Sequence, residues 1–262
     1  MSRIIDPWMQ HAIDNIKADY GVDVRMEYKN KDLLKFGRHE NVQTTKTTLM
    51  TLPSGIYNET FLSANSITSI ISTSAADGET VTIEGHTSAD GLTFVFAVQT
   101  KVLTGQTVAT LDTPLCRCTR IYNSSATELA GVVSVCETDT YASGVPVTPA
   151  GVHCQIRAGE QQTEKASTTI SSTDYWVITS FYGDMLEKAA AFGEVDLEVR
   201  LSGKVFRPVA DIGVGDTHNG RLEFKPYLVI PPNSDVRLRA LVNANGKDVS
   251  GGIEGVLLKA GV

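Results

Sequence analysis

Residues 221–259, RLEFKPYLVIPPNSDVRLRALVNANGKDVSGGIEGVLLK, carry the clearest structural pattern in the chain. Leu222 and Phe224, the apolar run 227–230, Val236 and Leu238 set against Arg237 and Arg239, and then Ile253, Val256 and Leu257 make three β-rich runs. Pro231-Pro232-Asn233 and Asn245-Gly246 divide them. Apolar alternation broken by proline and by Asn-Gly predicts a strand, a turn, a strand, a hairpin and a final strand. None of these residues offers chemistry for a substrate.

Upstream of this stretch the same grammar repeats. Short alternating runs are predicted near 66–72, 80–85, 92–100, 118–122, 131–137, 153–158, 175–182, 194–201 and 205–210, with Asp77-Gly78, Asp90-Gly91 and Asn219-Gly220 as further turn signals. About a dozen strands in roughly 200 residues fit an antiparallel β-sandwich of jelly-roll type, the chain being mainly β. One body over 56–262 is expected, and residues 141–149 mark the seam if there are two. The segment 184–192, DMLEKAAAF, reads equally as a helix capped by Asp184 or as a loop with one helical turn.

The first 55 residues differ. Ile5, Trp8, Met9, Ala12, Ile13, Ile16 and Tyr20 recur at helical spacing, with Asp6 as N-cap, Pro7 at the first helical position and Gly21 as the stop. A single helix of this length is not stable alone, so the stripe of Trp8, Met9, Ile13 and Ile16 must pack either on its own sandwich or on a neighbouring subunit. Beyond it the pattern fades into an extended arm over KNKDLLKFGRHE and a threonine-rich run at 44–48 that suits an added strand on another sheet. Such segments commonly gain order from a partner. The arm is locally basic, with Arg25, Lys29, Lys31, Lys35 and Arg38 against Glu27 and Asp32. A solvated charged loop and a contact with an acidic protein surface are both compatible with it.

Formal net charge is −7, and the balance is uneven: residues 1–50 hold eight basic and seven acidic side chains, so the remainder carries −8. That argues against a general nucleic-acid binder. No apolar run approaches the roughly 20 residues that cross a bilayer, and MSRIIDPWMQ lacks the signature of a secretory signal, so a cytosolic origin is expected. The four cysteines, Cys116, Cys118, Cys136 and Cys154, lack C-x-x-C spacing and read as buried free thiols.

Catalytic patterns fail one by one. There is no G-x-S-x-G, H-E-x-x-H or Walker loop, and the five histidines stand at no ligand spacing. Gly213-Val214-Gly215 opens like a dinucleotide fingerprint but continues into His218 without a helical pattern, and Asp211 with Asp216 lacks EF-hand spacing. Asp184 and Glu187 read as surface capping rather than an acid–base pair. No enzyme activity, cofactor or metal is expected.

Residues 156–179, IRAGEQQTEKASTTISSTDYWVIT, and 229–240, VIPPNSDVRLRA, followed by VSGGIEGVLL, resemble segments of virion structural proteins of tailed bacteriophages. The resemblance spans about 56–262 and implies a jelly-roll-like sandwich that stabilises or decorates a capsid as a cement protein. Its partners would be the major capsid protein and copies of itself, as a dimer or trimer, on the capsid surface of a virion assembled in the host cytoplasm. On this reading Trp8, Met9, Ile13, Ile16 and the basic residues 25–38 are the contacts. The alternative is a tail or head-fibre component binding a host receptor or glycan, with Tyr122, Tyr141, Tyr175 and Trp176 as candidate lining.

Overall fold

The computed structural model describes residues 6–22, 24–25, 32–186, 191–215 and 219–260. The first element is the expected helix, α1 (Pro7–Tyr20): Asp6 Oδ1 accepts from the backbone N–H groups of Trp8 (2.8 Å) and Met9 (3.3 Å), and Gly21, at φ +66°, ends it in the left-handed conformation. Next come β1 (Val24–Arg25), β2 (Asp32–Val42) and β3 (Thr47–Thr48).

Nine short strands follow: β4 (Ile67–Ser72), β5 (Thr80–Thr87), β6 (Val95–Val102), β7 (Ala109–Leu115), β8 (Arg117–Asn123), β9 (Val133–Glu137), β10 (Tyr141–Ala142), β11 (Val145–Pro146) and β12 (Val152–Ile156). The chain closes with β13 (Ser167–Thr169), β14 (Asp174–Met185), β15 (Phe192–Arg200), β16 (Arg207–Gly215), β17 (Gly220–Ile230), β18 (Asp235–Val242) and β19 (Lys247–Ala260).

Two antiparallel sheets built from the two ends of this series form a jelly roll. One runs β2-β19-β14-β17, with β1 extending the β2 side of β19; the other runs β13-β18-β15-β16, with β3 also on β18. From β14 onward the chain passes between the sheets at every connection except β15–β16, as a double Greek key requires. Inward residues of both sheets interleave as one core that includes Trp176, Phe181, Val195, Leu197, Leu238 and Ile253.

One strand position of this jelly roll is shared by two distant pieces of chain. Leu49 N donates to Leu238 O (3.0 Å), Leu238 N donates to Ala166 O (2.9 Å), and Ala166 N donates to Leu49 O (2.9 Å). β3 therefore begins the position and β13 completes it, and everything between them is an insertion. The inserted part has its own sandwich, sheet β12-β9-β4-β7 against sheet β6-β5-β8, around Ile67, Ile83, Leu115, Ile121, Val135 and Ile156. The two segments that enter and leave it stay paired through the Met50–Lys165 bridge and Thr51 N to Glu164 O (2.9 Å).

The division of the chain is thus nested. The segment expected as an extended arm supplies β2 and β3 to the jelly roll, and the seam expected at 141–149 is the small β10–β11 hairpin inside the insertion. β2 lacked a strand pattern because its inward face carries Lys35, Gly37 and His39 after Leu33. Of the four Asp-Gly and Asn-Gly signals, Asp90-Gly91 turns a hairpin, β5 to β6, whereas the others join strands of different sheets. In the 184–192 segment, strand continues to Met185 and resumes at Phe192; residues 187–190 lie outside the described residues.

Candidate interaction surfaces

Two faces of the molecule are left partly uncovered by its own chain, and the helix decides one of them. α1 lies across the outer face of β17, β14 and β19, burying Met9, Ala12 and Ile16 against Tyr175, Val177 and Leu258, with Ile13 partly buried among them. Of the stripe, Trp8 stays open, 41% exposed at the rim of a shallow groove shared with Thr179, Ser180, Arg221 and Tyr227. The packing of the helix on its own sandwich, one of the two arrangements expected, is the one present. It leaves Met9 and Ile16 unable to touch a neighbour without undocking.

The basic candidates separate in the same way. Arg38 is committed to Asp248, with Nε donating to Oδ1 at 2.9 Å. Lys35 points inward from β2, and its ammonium donates to Thr119 O of the insertion (3.2 Å). Burial, with the Lys165 ammonium adding to it against the pull of Glu84, lowers its pKa to about 8. Arg25 lies in β1 with its side chain outside the described residues, as are Lys29 and Lys31 altogether. Lys35 and Arg38 are thus parts of internal networks.

Some of the exposed apolar side chains stand in loops, such as Val205 and Val147, and others form rows on strands. On β6 the alternation Phe96, Val98, Val102 faces out, Val98 being 55% exposed, while Ala97 packs inward on the insertion's core. Beside β6, the Gln99 side-chain amide bridges to β7, its Oε1 accepting from Thr113 N at 3.0 Å and its Nε2 donating to Thr113 O at 2.8 Å. The offered surface is the face of the strand. On β2 the residues opposite Lys35 and Gly37 are Leu34 and Phe36, which are exposed over the unhelical half of the sheet. Sequence reasoning missed both, because a lone strand pattern does not reveal which of its two faces is covered.

Polar chemistry is spent internally. All four cysteines are free and buried, and burial pushes the Cys136 thiol up to about 11. His86 is buried with Nε2 3.2 Å from Ser171 Oγ, and His153 lies 3.2 Å from Glu137. Among the described residues no three His, Cys, Asp or Glu side chains are grouped as a metal site would need. Asp184 lies in β14 and Asp211 in β16, while Glu187, Asp216 and His218 lie outside the described residues. The aromatic candidates do not converge: Tyr175 and Trp176 are buried on opposite faces of β14, in different cores, and Tyr122 stacks on Arg120 in the insertion.

No family model matches the chain, and no curated protein matches it. Among solved structures it is similar to proteins of infectious bursal disease virus. The T13 viral particle aligns with 11% identity over 98% of this chain and 78% of that one at a TM-score of 0.25. The Gx strain aligns with 10% identity over 94% and 78% at 0.24, and the VP2 subviral particle with 13% identity over 97% and 77% at 0.19. At these TM-scores the likeness adds nothing to the topology described above.

Proposed function

We propose that this chain is a structural protein of a virion, a decoration subunit that binds a capsid shell through protein–protein contacts, of the tailed-phage kind its segments resemble. The observation that carries the reading is a jelly roll and an inserted sandwich that display apolar rows on strand faces, Leu34-Phe36 on the jelly roll and Phe96-Val98-Val102 on the insertion. A flat apolar face suits another protein surface better than a small molecule, which binds in concave, enclosing sites. Because α1, β2 and β3 are all consumed at home, the subunit folds as a finished unit and adds to a shell rather than interlocking within one. On this reading the β6 and β2 faces carry the contact, alongside Trp8, the member of the helix stripe that stays exposed.

Co-sedimentation of the purified protein with preformed shells, followed by imaging of the particles, tests this. Saturable binding at fixed positions on the shell supports it. Failure to bind any shell, together with its presence in tails alone, overturns it.

A further inference from the structure

We propose that the cleft where the inserted sandwich meets the jelly roll is a binding site for a tetrahedral inorganic oxyanion, which clasps the two parts together. The cleft has a volume of about 120 Å³ and is lined from both sides, by Phe94 and Arg117 of the insertion and by Arg200, Lys204 and Asp235 of the jelly roll, with Phe61 between them. Three cations line it against one carboxylate.

That carboxylate is already saturated. Asp235 Oδ1 accepts from Arg117 Nε (3.0 Å) and Thr169 Oγ1 (2.6 Å), and Oδ2 accepts from Arg200 Nε (2.9 Å) and Nη2 (2.6 Å). Immediately beyond, Arg237 and Arg239 share Glu198 in the same two-to-one ratio. Lys46 is held by Asp196 and Glu194, and Lys165 by Glu59, which leaves one carboxylate to spare beside Arg239, so the four guanidiniums and two ammoniums exceed the five carboxylates by one before Lys204 is added. The positive excess lies in an acidic chain, and Arg117 and Asp235 are almost fully buried.

Buried or half-buried charge without a counter-charge is costly, and guanidiniums recognise oxyanions by paired hydrogen bonds. Phenylalanine faces absorb part of the excess: Arg117 lies 4.7 Å from the Phe94 ring centre and Arg200 4.9 Å from that of Phe61. Cation–π contacts carry no net negative charge, so the excess remains. The cleft has room for one phosphate-sized anion together with water.

Thermal unfolding of the full chain in millimolar phosphate, against chloride at equal ionic strength, tests the assignment with inorganic phosphate as the probe. A ligand that binds the folded state raises the midpoint in a saturable way. The expected result is a rise of several degrees that saturates and that Lys204→Glu abolishes, while the midpoint of that variant in chloride lies at or above the parent value, because the new carboxylate offsets part of the positive excess. Titration calorimetry with phosphate should show one site per chain, lost in the same variant. Equal midpoints in phosphate and chloride overturn the proposal. So does a rise that grows linearly without saturating and survives in Lys204→Glu, which is the signature of general salting rather than of a site.

Discussion

Glu59 and Lys165 form an ion pair, Oε1 to Nζ 2.5 Å, with both side chains almost sealed from solvent where the insertion leaves the jelly roll. The same ammonium donates to Cys118 O (2.6 Å) and His153 O (3.0 Å), and Glu59 Oε2 accepts from Ser167 Oγ (2.5 Å). Burial disfavours the charge on Lys165, but the thiols beside it and Glu59 outweigh that and hold it protonated. Removing one partner of such a pair strands the other: Glu59→Gln should cost about 3–5 kcal/mol in urea unfolding. The double variant Glu59→Leu with Lys165→Met should recover a large part of that loss.

Gly37 faces the branch point itself. A Cβ there would stand 2.0 Å from Leu49 O and 2.4 Å from Ala166 N, backbone atoms that belong to the shared strand position. Gly37→Ala should therefore cost as much as or more than the roughly 1–3 kcal/mol usual for overpacking. Hydrogen exchange should show the loss first at the Ala166 amide, since its bond to Leu49 O is what the methyl displaces.

Asp6 is the only side chain capping the start of α1 among the described residues. Asp6→Ala should weaken the helix by about 1 kcal/mol. Because Met9 and Ile16 dock on Tyr175 and Val177, fraying should appear as faster exchange in both α1 and β14 and as a red shift of Trp8 fluorescence, with buried Trp176 unchanged.

His86 predicts acid sensitivity. Burial first, and then the positive charge of Lys35, lower its pKa from 6.5 to about 3, against a smaller opposing pull from Asp235. Between those two values the unfolded chain binds the proton and the folded chain does not. Stability therefore falls as pH drops through that window, at up to about 1.4 kcal/mol per pH unit, and the full loss is reached below pH 3. His86→Leu should be less stable at pH 7, having lost the Ser171 hydrogen bond, yet show a shallower decline between pH 6 and pH 4 in chemical denaturation.

For the proposed shell contact, Val98→Glu with Val102→Glu should leave the unfolding midpoint nearly unchanged, because both side chains are exposed, while reducing shell binding at least tenfold. Retained binding would move the contact to the β2 face, where Leu34→Glu with Phe36→Glu is the corresponding variant.

The legible parts of this fold are those where pattern and environment agree. α1 is announced by Asp6, Pro7 and Gly21, and the strands around Leu197 and Leu238 alternate because one face meets a dry core. What stayed hidden is non-local. β2 is disguised by Lys35 and His39, which are inward yet polar because the insertion provides them with carbonyl partners at Thr119 and Ile56, more than fifteen residues away. β13 is only three residues long, and its strand character depends on β18, some seventy residues further on. The oxyanion cleft joins residues from Phe61 to Asp235, so no local window contains it.

Leu49 and Ala166 being hydrogen-bonded neighbours has a consequence for how the protein is made. When the ribosome has delivered β3, the jelly roll owns only its first strands and must wait more than a hundred residues for the rest. The nested sandwich, whose strands pair only among themselves, is complete by β12 and is free to fold in that interval as a unit. By folding, it draws the two ends of its own loop together and so hands the later barrel a strand position that is already closed.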